Sequence, residues 1–149
     1  MASLPYQSAT SGDKALGDLQ KILRAFGCQK FGSMVDDGVG TLLVQFEYRG
    51  RQVQVQASTK GYAAALLRSK PWTSRMRCTK VQHEATAMQI AGVAVYSIVL
   101  DWVKGQITAV ETGVLSFEGA FLGQILLYNG RTVLEPVEQA KLLKIGATT

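Results

Sequence analysis

Alternating apolar and polar residues over 41–57 constrain the fold of this chain more than any other feature. Arg49-Gly50 stands at the centre of this segment and has the composition of a two-residue β-turn. Folding the chain there predicts an antiparallel hairpin with the facing pairs Tyr48/Arg51, Phe46/Val53, Val44/Val55 and Leu42/Ala57. The other face is polar apart from Leu43 and carries Gln45, Glu47, Gln52, Gln54 and Gln56. This pattern is typical of a sheet that packs on one face and meets water on the other.

Helical periodicity precedes and follows this hairpin. Residues 13–26 carry one apolar stripe and predict an amphipathic helix, with Ser11 as its N-cap and Gly27 as its stop. A short strand is predicted over 30–35, before the hairpin. After the hairpin, residues 60–69 predict a short helix that is capped by Ser58 or Thr59 and ended by Pro71.

A long helical pattern follows the loop after Pro71. Thr79 and Gln82 have the spacing of a capping box, and the pattern runs to Thr112, ahead of Gly113. Such a helix is roughly 50 Å long at 1.5 Å per residue. Residues 88–103 are apolar nearly all round, which predicts the central helix of the core. A helix longer than its domain also predicts that a second chain covers part of it, so we expect a homo-oligomer.

The C-terminal third predicts smaller elements. A single helical turn is expected over 116–123, a second hairpin over 124–134 that turns at Asn129-Gly130, and a last helix from Pro136 to Lys144. The chain is therefore predicted to be α+β, with an antiparallel meander packed on a long central helix, a C-terminal hairpin and a short terminal helix. We expect one domain over 13–146 after a flexible N-terminus of residues 1–12.

Composition excludes several classes of protein. With 47% hydrophobic and 18% charged residues, the chain is not of the disordered type. Two cysteines and one histidine argue against a disulfide scaffold, a zinc site or a Cys/His enzyme. His83-Glu84 begins a metalloprotease-like pattern, but Ala87 stands where the second histidine would be. We therefore expect a protein that is not an enzyme and has no metal or cofactor.

The sequence also bears on where the protein acts. Residues 1–12 lack the basic start and apolar run of a secretory signal. Residues 85–100 form the longest uncharged stretch, which is shorter than the roughly 20 residues of a membrane span. A cytoplasmic protein without a membrane association is expected, with Cys28 and Cys78 as free thiols.

The positive charge is concentrated in one segment. The whole chain has a formal net charge of +5, and residues 61–83 alone carry five basic and no acidic residues. Widening the window to 48–83 adds Arg49, Arg51 and Lys60, and still no carboxylate. Such a segment is typical of a surface that faces phosphates, with Tyr62 or Trp72 stacking on unpaired bases. The alternatives are a solvated basic loop with Trp72 tucked into the core, or a surface for an acidic protein.

Several short strings resemble a known group of proteins. They are Gly61-Tyr62-Ala63-Ala64, Pro71-Trp72, the run from Asp101 to Gln106, Phe117-Glu118 and Phe121-Leu122. On these strings the chain, over roughly residues 12–135, resembles a family of small proteins carried by tailed bacteriophages. That resemblance implies action in a bacterial host cytoplasm and no particular activity. The order of the predicted elements is also similar to the core of the single-strand annealing proteins related to Rad52, which implies at most a common arrangement.

Two hypotheses of function follow. The first is a non-enzymatic, oligomeric, phage-type protein that binds nucleic acid, with single strands favoured over duplexes. Its predicted binding residues are Arg49, Arg51, Lys60, Tyr62, Arg68, Lys70, Trp72, Arg75, Arg77 and Lys80. The second is a protein-interaction module, an inhibitor or adaptor of a host or anti-phage defence protein, which would use the apolar residues 125–128 as an edge for its partner.

Overall fold

A computed structural model describes residues 4–143 and shows an α+β fold built from a three-stranded sheet and a long helix. The helices are α1 (Gly12–Ala25), α2 (Thr59–Ser69), α3 (Lys80–Glu111), α4 (Phe117–Phe121) and α5 (Leu134–Gln139), with a 3₁₀ turn over Leu122–Gln124. The strands are β1 (Phe31–Asp36), β2 (Thr41–Tyr48) and β3 (Arg51–Ser58).

The sheet is an antiparallel meander in the order β1-β2-β3. All four predicted hairpin pairs are present, from Tyr48 opposite Arg51 to Leu42 opposite Ala57. Arg49 and Gly50 both have positive φ, 52° and 77°, as a two-residue turn matched to the twist of the strands requires. Alternate residues of β2 are buried against the helices, which confirms the predicted packed face.

The predicted helix starts are confirmed by capping contacts. Ser11 accepts a hydrogen bond from the Lys14 amide (3.1 Å), and Ser58 accepts one from the Gly61 amide (2.8 Å). Thr79 and Gln82 form the predicted capping box at the start of α3. These caps satisfy amides that have no partner within their own helix, so the local sequence determines where each helix begins.

Helix α3 lies at the centre of the fold, and its two halves have different surroundings. Its C-terminal half packs on α1, α4 and the buried face of the sheet, in a cluster that includes Val99, Val103 and Ile107. Its N-terminal half packs on α2 through small residues, chiefly Ala63, Ala87 and Ala91. By length and composition α3 could cross a membrane; its most apolar window has a mean hydropathy of 1.4 and is 33% buried.

Contacts along α3 give the direction of each element. The Lys70 carbonyl lies beside His83, whereas Thr59 lines a groove with Gly92, so α2 runs antiparallel to α3. Tyr48, at the end of β2, bonds Glu111 at the end of α3. Strand β3 therefore runs antiparallel to α3. Helix α2 continues in the same direction as β3 and so leads away from the sheet.

The structure does not show the predicted second C-terminal hairpin as a pair of strands. Residues 124–134 contain no assigned strand, but Leu126 bridges to Thr132, and the Leu127 and Val133 amides donate to the Arg131 (2.7 Å) and Ile125 (3.0 Å) carbonyls. Ile125 also bridges to Val53 of β3. Gly130 donates to the Leu127 carbonyl (3.0 Å), so Tyr128-Asn129 occupy the centre of the turn and not Asn129-Gly130. Residues 127–131 are exposed. The pairing around this turn is therefore too short to form two strands.

The chain ends differ in part from expectation. The last helix begins at Leu134 and not at Pro136, because proline is tolerated within the first turn, where its missing N–H has no partner to lose. It ends at Gln139, and the predicted end at Lys144 lies outside the described residues. Near the N-terminus, the Tyr6 hydroxyl donates to Asp101 (2.5 Å), which attaches this segment to α3.

Candidate nucleic-acid interface

The loop between α2 and α3, residues 70–79, carries the basic segment, and we call it the basic loop. Trp72 Nε1 donates to the Cys78 carbonyl (2.9 Å), and the Met76 amide donates to the Thr73 carbonyl (3.1 Å). His83 Nε2 lies 2.8 Å from the Lys70 carbonyl. These contacts hold both ends of the loop together, so its conformation is defined by its own hydrogen bonds.

The start of α3 adds a positive electrostatic contribution to this end of the molecule. The aligned peptide dipoles of a helix place partial positive charge at its N-terminus. Here the first turn contains no acidic residue to neutralise that charge, and Lys80 is the first residue of the helix. The capping box uses the Thr79 and Gln82 side chains for the backbone amides of residues 82 and 79.

Five cations surround this loop, and we call them the distal cations. They are Arg68, Lys70, Arg75, Arg77 and Lys80. Each is exposed, and within the part of the chain that the structure describes none of them forms a salt bridge. Their charge is therefore available to an anionic partner, in contrast to cations that already have a carboxylate.

Arg49 and Arg51 lie at the other end of α3, away from the distal cations with which the sequence grouped them. Arg49 is 3.4 Å from the Glu111 carboxylate, and Arg51 forms an ion pair with Glu118. Lys80 and Glu111 are the first and last residues of α3, about 46 Å apart at 1.5 Å per residue. Arg49 and Arg51 also stack on aromatic rings, of Tyr48 and Phe117 respectively. Both arginines thus lie at the C-terminal end of α3, where the aromatic core packs. We call this the closed end of the molecule, and we call the end that carries the basic loop the open end.

Lys60 lies between these two extremes. It is exposed at the start of α2, and its amide donates to the Gly40 carbonyl (3.1 Å). Eight residues of helix separate Lys60 from Arg68, which corresponds to about 12 Å. The structure therefore places Lys60 on the same helix as Arg68, at the margin of the distal cations.

The two predicted stacking residues have different environments. The Tyr62 hydroxyl donates to the Pro5 carbonyl (2.6 Å), and its ring packs against both hydrophobic clusters. Burial also raises the pKa of Tyr62 above its usual value. Trp72 is half-buried and belongs to neither cluster, so it is not a core residue. Of the two aromatic residues, Trp72 is the one that lies in the basic loop and is not packed into a hydrophobic cluster.

The glutamine-rich face of the sheet is not adjacent to the basic loop. Gln45, Gln52, Gln54 and Gln56 lie on the face of the sheet that points away from α3. Because α2 continues in the direction of β3, it carries the basic loop away from the sheet by its own length. The sequence pattern showed both features but not the distance between them.

One residue of this region was not predicted to have a role. The sequence favoured a surface or helix-start position for His83, and the structure shows it in contact with the Lys70 carbonyl across the loop. The only sequence signal was its place in the first turn after the capping box, which does not reveal a partner 13 residues away.

Comparison of this chain with protein-family models, curated proteins and solved structures finds no match.

Proposed function

We propose that this chain is a non-enzymatic, phage-type protein that binds nucleic acid through the distal cations and Trp72, acting in a bacterial cytoplasm. The observation that carries the proposal is a set of five exposed cations, none with a carboxylate partner among the described residues, in and beside the loop that holds the half-buried Trp72. Lys60 extends this surface along α2. Arg49, Arg51 and Tyr62 are not part of it, because each is engaged elsewhere.

The preference for single strands follows from the combination of charge and one aromatic ring. Phosphate contacts by lysine and arginine release counterions and do not depend on base sequence. An accessible ring contributes only when a base is unpaired and free to stack on it, at about 1–3 kcal/mol per base. Trp72 Nε1 is already bonded to the Cys78 carbonyl, so the orientation of the ring is set before any ligand arrives.

The test is fluorescence anisotropy with a labelled oligothymidylate and with a duplex of equal length, across a series of salt concentrations. We expect affinity for the single strand to fall steeply with salt. Arg75→Ala and Arg77→Ala should each reduce the slope of log K against log salt by about one unit at most. Trp72→Ala should weaken the single-strand complex more than the duplex complex.

Matched controls separate this surface from general basicity. Arg51→Ala and Arg131→Ala remove the same charge from residues that are paired with Glu118 and Glu135. They should leave the salt slope unchanged, provided that circular dichroism shows each variant folded. The proposal is contradicted if neither oligonucleotide binds at low salt. It is also contradicted if Arg51→Ala and Arg75→Ala reduce the slope of log K against log salt equally.

A second candidate function is a protein-interaction module, an inhibitor or adaptor of a host or defence protein. The observation that favours it is the exposed apolar tip of the C-terminal segment, where Tyr128 is fully exposed and Leu127 is 39% exposed. A partner retained from a nuclease-treated lysate by the wild type, and lost with Tyr128→Ser but not with Arg75→Ala, would support this function over nucleic-acid binding.

A further inference from the structure

The outer edge of β1 is an open strand edge. Strand β1 is the first in the sheet order and pairs only with β2 among the described strands. Its residues after Phe31 are all exposed, including Met34 at 63% and Val35 at 44%. An unpaired, exposed strand is a template for another strand, and proteins usually protect such edges with proline, lysine or a bulge. The strand Phe31–Asp36 contains neither proline nor lysine.

The hydrogen-bond ladder shows which backbone groups are free. The Glu47 amide donates to the Lys30 carbonyl (2.9 Å), so residue 30 points its backbone groups toward β2. Backbone direction alternates along an antiparallel strand. The even-numbered residues of β1 therefore bond β2, and the odd-numbered residues Phe31, Ser33 and Val35 present their N–H and C=O groups to the outside.

We infer that this edge pairs with the same edge of a second copy of the chain, antiparallel and centred on Ser33. In that register Ser33 faces Ser33 of the second copy, and Phe31 faces Val35. Each outward residue then both donates and accepts a backbone hydrogen bond with its counterpart. The two sheets join into one, as an isologous two-fold contact requires.

Side chains along the edge complement one another in this register. Lys30 faces Asp36 of the second copy, so opposite charges meet at both ends of the strand pair. Lys30 already lies 3.4 Å from Glu47 and is 80% exposed, so it can extend from Glu47 toward a second carboxylate on the same face of the sheet. Asp36 uses one oxygen for the Val39 amide (3.0 Å) and keeps the other for this contact.

Size also matches along the strand pair. Gly32 faces the exposed Met34 of the second copy, and a Cβ built at Gly32 meets no atom within 4 Å. On the other face, half-buried Phe31 and exposed Val35 bring two apolar side chains together. This interface differs from the contact expected from the sequence, which placed the second chain on α3. It does not depend on nucleic-acid binding.

Amide hydrogen exchange tests the pairing directly. The amides of Phe31, Ser33 and Val35 have no acceptor among residues 4–143 of the same protomer, so they should be protected only in the dimer. We expect protection that increases with protein concentration together with a dimer mass in light scattering. Exchange of these amides as fast as that of fully exposed Tyr128, or a monomer at high micromolar concentration, overturns the inference.

Two matched pairs of variants locate the interface. Ser33→Pro removes an outward N–H at the centre of β1 and should abolish the dimer, whereas Gln56→Pro makes the same change on the β3 edge and should not. Lys30→Glu should raise the dimer dissociation constant about tenfold, because it places a glutamate opposite Asp36 of the other copy at both ends of the strand pair. Glu47→Gln breaks the same intrachain ion pair and should leave the dimer intact. A dimer that survives both Ser33→Pro and Lys30→Glu contradicts this interface.

Discussion

The two ends of α3 use the same residue types in opposite ways. At the C-terminal end, Arg49 and Arg51 are paired with Glu111 and Glu118 and stack on rings of the core. At the N-terminal end, the distal cations are exposed and have no carboxylate partner among the described residues. The comparison shows that arginine stabilises the fold where the fold brings a carboxylate to it, and remains available to a ligand where it does not.

The packing of the two ends differs as much as the charge. Phe121 is fully buried, and its ring lies 5.5–6.2 Å from the rings of Phe46, Tyr48, Trp102 and Phe117. At the other end the contact between α2 and α3 depends on alanines, which let the two backbones approach closely. The C-terminal end therefore contributes most of the aromatic burial, and the N-terminal end presents the charged loop.

The largest effect is expected from Phe121→Ala, which removes the ring at the centre of the closed end. Loss of a buried phenyl ring should lower the free energy of unfolding by about 3–5 kcal/mol. Urea denaturation followed by circular dichroism measures this loss. Trp72→Ala is the comparison at the open end and should cost much less; equal losses would contradict the contrast between the ends.

A smaller effect is expected at alkaline pH. Burial, together with the Glu111 carboxylate, raises the pKa of Tyr48 from 10 to about 12. The protonated form is favoured in the folded state, so the contribution is fully present below pH 10 and is lost as pH rises toward 12. The loss is at most about 3 kcal/mol, from two pKa units at about 1.4 kcal/mol each.

Tyr48→Phe isolates this contribution, because it keeps the ring and removes the hydroxyl. The unfolding free energy of this variant should fall less steeply between pH 10 and 12 than that of the wild type. Burial also raises the pKa of the Cys28 thiol from 9 to about 11, so both proteins should retain some loss of stability from pH 9. Parallel curves for the two proteins over pH 10–12 would refute the role assigned to the hydroxyl.

The close approach of α2 and α3 predicts a sensitivity to size at the open end. Ala91 is fully buried between these helices, so Ala91→Leu should destabilise the fold by about 1–3 kcal/mol through overpacking. Ala85→Leu adds the same atoms at an exposed position of the same helix and should be nearly neutral. Thermal unfolding of both variants measures the difference, and a neutral Ala91→Leu would mean that the two helices do not pack closely.

The smallest effect is expected from Glu118→Gln. The ion pair with Arg51 is about half exposed, so its loss should lower stability only slightly. Arg51 also holds the pKa of Glu118 below its usual value. The wild type should therefore lose this small advantage as pH falls through the lowered pKa of Glu118, and the variant should not. A large drop in melting temperature at neutral pH would show that the pair is more than a surface contact.

The sequence predicted those parts of the fold that depend on neighbouring residues. The hairpin register followed from a period of two and a turn with two positive-φ residues, both of which are local properties. The helix starts followed from Ser11, Ser58 and Thr79, because each cap bonds an amide three residues away. The second C-terminal hairpin is not shown as paired strands, since a turn signal does not determine how far the residues beyond the turn will pair.

The candidate site was predicted only in part, because charge along a chain does not specify distance in space. The sequence by itself determined the α+β class, the hairpin register, the extent of α3 and the concentration of cations in 61–83. Only the tertiary structure separated Arg49 and Arg51 from Arg75 and Arg77, because it placed them at opposite ends of a helix about 46 Å long. It also brought Glu111 and Glu118 to the first pair, and a carboxylate more than 60 residues away is a contact that only folding creates.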